Sequence, residues 1–180
     1  KVGSGKTYLA VAYAVKMLQE KKVKKLVLLR PATVNSLEQI GFLKGTLEDK
    51  VSPLILPMKS IFEELLGKIV LEQYMERGVI QPYSIAYVEG MTYKNSIVLV
   101  DEYQNTSSEM LRAILTRIDD TSQCIVMGDE HQIKLDNPMI SASKDVARFK
   151  DKKGIGYIEF EDHEIVRGKI TELIESCYDK

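Results

Sequence analysis

A three-layer α/β domain with a mostly parallel central sheet is the fold this chain predicts, on three observations. The opening Lys1-Val2-Gly3-Ser4-Gly5-Lys6-Thr7 runs straight into a helical pattern. Leu26-Val27-Leu28-Leu29 and Ile97-Val98-Leu99-Val100 are continuous apolar runs, and each is followed at once by charged residues. Runs of this length without alternation suit strands covered on both faces, as parallel sheets require, and strands interleaved with helical stretches are the α/β signature.

Composition bounds the rest. With 180 residues and 44% hydrophobic content, the chain can bury one well-packed core and is short for two, so residues 1–180 are expected to form a single domain. A formal net charge of −1 leaves no global basic field, so any nucleic-acid contact must come from a local patch. Cys124 and Cys177 lie far apart and lack metal-ligand spacing, which suits two free thiols and a reducing, cytoplasmic setting. No apolar run approaches the ~20 residues that span a bilayer, so no membrane partner is expected.

Gly3-Ser4-Gly5-Lys6-Thr7 matches the second half of the phosphate-binding pattern G-x-x-x-x-G-K-S/T. Glycines let the backbone N–H groups of such a loop close around a polyphosphate, and the helix that follows turns its N-terminal dipole toward the negative charge. Lys6 would reach the β- and γ-phosphates, and the Thr7 hydroxyl would ligate Mg²⁺. Tyr8, next on the helix, joins Gly3, Ser4, Gly5, Lys6 and Thr7 as the nucleotide-binding set. The pattern's first Gly would stand one position before Lys1, so the domain is expected to be truncated at its N-terminus, with the strand leading into the loop missing.

The spacing of Leu9, Ala12, Tyr13, Ala14, Met17 and Leu18 predicts a helix from Thr7 to about Lys22. Lys21, Lys22, Lys24 and Lys25 could form a basic patch, although lysines near a helix C-terminus more often simply face water. Leu26–Leu29 is the next strand and ends in Arg30-Pro31, on the edge of an open sheet where ligands bind. In Gly41-Phe42-Leu43-Lys44-Gly45 the Phe could stack on a base or anchor a loop onto the core. Leu54 to Leu66 keeps helical spacing, with Pro53 and Pro57 setting its start or a kink, and Gly67 ends it. A helix from about Lys68 to Arg77 stops at Gly78. Val79–Gln81 and Ser84–Val88 read as two short strands.

Ser96 to Val100 predicts a buried strand that delivers Asp101 and Glu102 to the same sheet edge as the phosphate loop. An Asp there holds Mg²⁺ with part of its water shell, and the adjacent Glu orients or deprotonates attacking water. Thr106-Ser107-Ser108-Glu109 has capping-box spacing ahead of a helix from about Ser107 to Asp119. Strand Cys124–Met127 ends in Gly128-Asp129-Glu130-His131-Gln132. There Gln132 could contact the γ-phosphate with Asp129 organising it, or the segment could be a polar turn; His131 has no zinc spacing around it. Met139–Phe149 predicts a helix, Lys150–Gly154 a solvated turn and Tyr157–Glu161 an edge-like strand. A last helix carries Ile165, Val166, Ile170, Leu173, Ile174 and Cys177 on one face, with Arg167 near its start.

These motifs in this order resemble the PhoH-like family of P-loop ATPases, itself related to the ATPase core of superfamily 1 helicases. The likeness rests on Gly3 to Thr7, Arg30-Pro31-Ala32, Gly41-Phe42-Leu43, Glu48 to Lys50 with Pro53, Val98 to Glu102 continuing as Gln104-Asn105-Thr106, Leu115-Thr116-Arg117, Gly128-Asp129 with Gln132, and Val166-Arg167. It implies a RecA-like P-loop NTPase fold, Mg²⁺-dependent ATP binding and hydrolysis, a link to single-stranded RNA or DNA, and a homo-oligomer such as a hexameric ring. Three positions depart from the family pattern: Gly90-Met91-Thr92 lacks a cation, Tyr103 stands where a small residue is usual, and Gly45 replaces a proline. Lys6, Glu102 and Gln132 are the expected catalytic set, with Thr7 and Asp101 for Mg²⁺. Charge on the transferring phosphoryl group also calls for an arginine, and Arg117 or Arg167 from a neighbouring subunit is the expectation. A nucleotide switch that barely hydrolyses and a small-molecule kinase are rivals, the second without a visible Arg-rich lid. No Asn-Lys-x-Asp segment reads guanine.

Overall fold

The computed structural model describes residues 5–31, 47–85, 88 and 90–160. Helix α1 (Lys6–Gln19) leads to β1 (Lys25–Arg30), followed by α2 (Leu47–Leu66), α3 (Lys68–Glu76) and β2 (Ile80–Ser84). Strand β3 (Ser96–Val100), α4 (Ser108–Leu115), β4 (Gln123–Val126) and α5 (Ser143–Phe149) complete the described order, with single 3₁₀ turns at Tyr103–Asn105 and Pro138–Ile140.

The strands form a four-stranded sheet in the order β2-β1-β3-β4, with every pairing parallel. Successive side chains of a strand point to opposite faces, and both faces here are covered. On one side Leu26, Leu28, Ile97 and Leu99 pack with Val11, Ala14, Met58, Phe62 and Leu71 from α1, α2 and α3. On the other, Val27, Leu29, Val98 and Val100 pack with Tyr93, Leu111 and Ile114. Each such aliphatic side chain stabilises the fold by roughly 1.5–3 kcal/mol when fully buried, so the two faces together dominate its stability. Helix on sheet on helix is the three-layer α/β arrangement of a P-loop NTPase, as the unbroken apolar runs predict. None of the described helices is long and apolar enough to cross a membrane.

Several predicted elements move. Where two strands are expected between Val79 and Val88, the described residues form one, Ile80–Ser84, which passes through Pro82, while Ala86 and Tyr87 lie outside the described residues. Proline is tolerated there because β2 is an edge strand, paired among the described residues to β1 alone. Helix α2 begins at Leu47, ahead of both prolines, and continues through them; each proline removes only one backbone donor from a twenty-residue helix whose Met58 and Phe62 are fully buried.

The cap of α4 slips by one residue. Ser107, not Thr106, is the N-cap, its Oγ accepting the Met110 N–H at 3.2 Å. The helix also stops at Leu115, well short of Asp119. Thr116 turns its hydroxyl back onto the Arg112 carbonyl at 2.9 Å, and the next residues pair with the segment before β3. There the Tyr93 N–H donates to the Arg117 carbonyl at 2.9 Å, and the Asp119 N–H donates to the Tyr93 carbonyl at 3.2 Å.

The helix expected over Met139–Phe149 is broken at Ser141, whose hydroxyl donates to the Gln104 carbonyl at 2.6 Å. Tyr157–Phe160 forms no strand, because alternation alone supplies no neighbour and Ile158 is left 82% exposed. The turn at Lys150–Gly154 is present, with Asp151 and Gly154 both at positive φ. Phe42 with its flanking glycines, and the helix from Ile165 to Cys177, lie outside the described residues.

Candidate functional site

The parallel register brings the ends of β1, β3 and β4 to one edge: Leu29 pairs with Val100, and Val100 with Val126. Arg30, Asp101 and the segment from Met127 to Gln132 therefore leave the sheet side by side. Glycine is needed at position 5 because its φ of +73° is left-handed, not because space is short. That turn starts α1 at Lys6, and the Gly5 carbonyl accepts the Leu9 N–H at 2.9 Å. The first N–H groups of an α-helix point out of its N-terminal end, which here is the end at Gly5.

Thr7 Oγ1 lies 3.4 Å from Asp101 Oδ1 and donates to it. Asp101 is buried, its N–H held by the Leu29 carbonyl at 2.9 Å. Burial raises its carboxyl above the usual aspartate range, Arg30 pulls it back, the neighbouring Glu102 raises it further, and Lys6 offsets part of this. Arg30 stands between the two carboxylates, 3.8 Å from Asp101 Oδ2 and 3.8 Å from Glu102 Oε1. Glu102 has the left-handed backbone rare outside glycine, φ 56° and ψ 38°. Such strain costs on the order of 1–3 kcal/mol and clusters at functional positions.

A polar network joins Glu102 to the turn after β4. Gln104 Nε2 donates to Glu102 Oε2 at 2.6 Å, and Asn105 Nδ2 approaches the same oxygen at 3.5 Å. Gln132 Nε2 donates to Asp129 Oδ2 at 2.9 Å, and the His131 N–H donates to Asp129 Oδ1 at 3.1 Å. Asp129 therefore holds Gln132, as the polar cluster suggested, and the backbone of His131 takes part. Asn105 Oδ1 accepts the Lys134 N–H at 2.6 Å, which ties the same turn to the residues after β3.

Of the residues expected from sequence, Lys6, Thr7, Asp101, Glu102 and Gln132 share this edge. Tyr8 directs its hydroxyl to Glu64 Oε1 on α2 at 3.1 Å. Arg117 lies at the opposite end of the sheet, near the start of β3, with Nη1 3.4 Å from the Met91 carbonyl. It cannot complete the site of its own chain, and it returns a cation to the turn where Met91 removed one. Gly3, Ser4 and Arg167 lie outside the described residues.

Three features went unassigned in the sequence. The sequence puts Arg30 at the functional edge but does not show it as the cation shared by Asp101 and Glu102. Gln104 stands in the sequence only as part of a motif, and its spacing two residues after Glu102 in a turn is the signal that points to a side-chain bond. Tyr103, the bulky departure from the family pattern, is buried among the residues beneath α4, with its hydroxyl donating to Glu130 Oε1 at 3.2 Å.

A family model described as PhoH-like protein matches residues 1–179. A PhoH-like protein of Bacillus subtilis is 38% identical over 181 residues, covering 99% of this chain and 56% of that protein. A PhoH-like protein of Mycobacterium leprae is 36% identical, covering 98% of this chain and 50% of the relative. Protein PhoH of Escherichia coli is 29% identical over the same shares, 98% and 50%. The chain thus spans about half the length of the curated relatives it matches.

Proposed function

Because the chain belongs to the PhoH-like family, we propose that it is a Mg²⁺-dependent ATPase whose hydrolysis is coupled to binding or remodelling of single-stranded RNA or DNA. The observation that carries this reading is the convergence of Thr7, Asp101, Glu102 and the Gln132 network beside the N-terminus of α1. A phosphate loop alone would fit a binding protein. A carboxylate held next to the magnesium-type pair Thr7–Asp101 adds a group able to take a proton from water.

The residues fit a magnesium ion: a hydroxyl and a carboxylate oxygen converge to 3.4 Å, both hard donors, and the carboxylate's burial favours a neighbouring cation. Thr7 and Asp101 would hold it, and it would neutralise charge on the β- and γ-phosphates. Lys6 adds a point charge on the same phosphates, and the loop N–H groups align them. Glu102 accepts the proton of the attacking water. Gln132, fixed by Asp129, meets the γ-phosphate side and registers its loss. Arg30 is an arginine already in this chain's site, beside the two carboxylates, and Arg117 or Arg167 of a neighbouring copy in a homo-oligomeric ring would supply the finger.

Fluorescent-nucleotide binding and turnover, measured on the same variants, test the assignment. Lys6→Ala should weaken binding and abolish turnover, whereas Glu102→Gln should keep binding and lose turnover by roughly 10²–10⁴-fold. Parent-level turnover in Glu102→Gln would remove Glu102 as the base.

A further inference from the structure

Gln104 is fully buried, and every part of its side-chain amide is used. Nε2 donates to Glu102 Oε2 at 2.6 Å and lies 3.4 Å from the Gln132 carbonyl, while Oε1 accepts the Asp129 N–H at 3.1 Å. Turning the amide over would set Oε1 against a carboxylate and Nε2 against an N–H, so the chemistry of its neighbours fixes one orientation. The Ser141 hydroxyl pins the backbone by donating to the Gln104 carbonyl at 2.6 Å. From the other side Gly128 leaves the amide its room: a Cβ there would overlap Gln104 Oε1 and come within 2.6 Å of Tyr103 Cδ1.

We infer that Gln104 is a positioning residue through which Glu102 and the Asp129–Gln132 segment align together, so that the base is set only when the segment meeting the γ-phosphate is in place. This deepens the ATPase reading and rests on it. The amide holds Glu102 Oε2 and leaves Oε1 toward Arg30, 3.8 Å away, so one carboxylate oxygen is fixed and the other is presented to the site. The bond to Glu102 is short and charge-assisted, the strong kind. The same nitrogen approaches the Gln132 carbonyl, so a shift of Gln132 toward or away from a phosphate alters the hold on Glu102 directly. Reach and direction follow from one planar group with no intervening side chain.

Two substitutions perturb that amide from opposite sides. Gln104→Glu keeps the shape and the acceptor for Asp129, but sets an oxygen against Glu102 Oε2 and the Gln132 carbonyl. Gly128→Ala leaves the amide intact and pushes it out of line. Both should lower kcat at least tenfold with KM within about threefold of the parent, because alignment of the base is lost while Lys6, Thr7 and Asp101 are untouched. A merely structural role would instead leave kcat unchanged once the folded fraction is corrected for, and parent kcat in folded Gln104→Glu overturns the inference. Hydrogen exchange supplies a readout independent of turnover: Gln104→Leu removes the acceptor for the Asp129 N–H, and that amide should exchange at least tenfold faster. Unchanged exchange there also overturns it. A parent that does not hydrolyse ATP would sink the ATPase reading by itself, with the exchange result still deciding whether Gln104 ties the two segments.

Discussion

Replacing Arg30 by Met would remove the guanidinium that stands 3.8 Å from Asp101 Oδ2 and 3.8 Å from Glu102 Oε1. Two unit charges about 4 Å apart interact by roughly 4 kcal/mol at an effective dielectric of ~20, and breaking a fully buried pair costs about 3–5 kcal/mol. Here Asp101 is buried, but the Arg30 and Glu102 side chains are 22% and 25% exposed, so solvent screening trims the figure. A loss of about 2 kcal/mol at pH 7 is expected, or roughly 4–8 °C in Tm. The loss should depend on pH in a defined direction. Burial already raises the Asp101 carboxyl above its unfolded range, and Arg30 is the main group holding it down. Without Arg30 the folded carboxyl rises further, so the ionised form carries a larger penalty. That penalty is absent below the unfolded pKa, grows between the unfolded and folded values and is complete above the folded one. Urea unfolding in EDTA, at pH 7 and near pH 4, should therefore show a gap between variant and parent that narrows on acidification. An equal gap at both pH values would mean that Arg30 acts through packing, and would refute its role as the carboxylates' cation.

Other consequences are simpler to check. Phe62 is fully buried between α2 and the sheet, so Phe62→Ala should cost about 3–5 kcal/mol by chemical denaturation without changing which nucleotide binds. The Cys124 thiol, half-buried on β4, is pushed up to about 12 by burial, so it stays protonated at pH 8 and should react with iodoacetamide more slowly in the folded than in the unfolded protein, as mass spectrometry of the digested chain would show. The Tyr93 hydroxyl is buried without a hydrogen-bond partner among the described residues, and Tyr93→Phe should leave stability unchanged or raise it by up to about 1 kcal/mol in the same denaturation assay.

The middle of the sheet was legible in the sequence because β1 and β3 are buried on both faces, so that Leu26–Leu29 and Ile97–Val100 need no partner in view to be recognised. The start of α1 after Gly5 and the position of Asp101-Glu102 at the end of β3 were legible because each is a local pattern with a fixed relation to a helix start or a strand end. What escaped depends on neighbours distant in sequence. Pro82 could join a strand only because β2 lies at the edge, a fact of sheet order. The break at Ser141 answers to the Gln104 carbonyl, thirty-seven residues away. Arg30 acquires its meaning from carboxylates on another strand, across a parallel crossover that no local periodicity encodes. Alternation misled at Tyr157–Phe160 for the converse reason: a pattern suited to a strand becomes one only where a neighbouring strand offers its ladder.

Steady-state ATP hydrolysis by the full-length protein containing this chain tests the central claim most directly. It should be measured with and without Mg²⁺ and single-stranded RNA or DNA, beside Glu102→Gln. The account predicts turnover that requires Mg²⁺, rises with one of the nucleic acids and falls by roughly 10²-fold or more in Glu102→Gln. Tight nucleotide binding with no turnover under any of these conditions would contradict it, and would make the convergence at the sheet edge the site of a nucleotide switch.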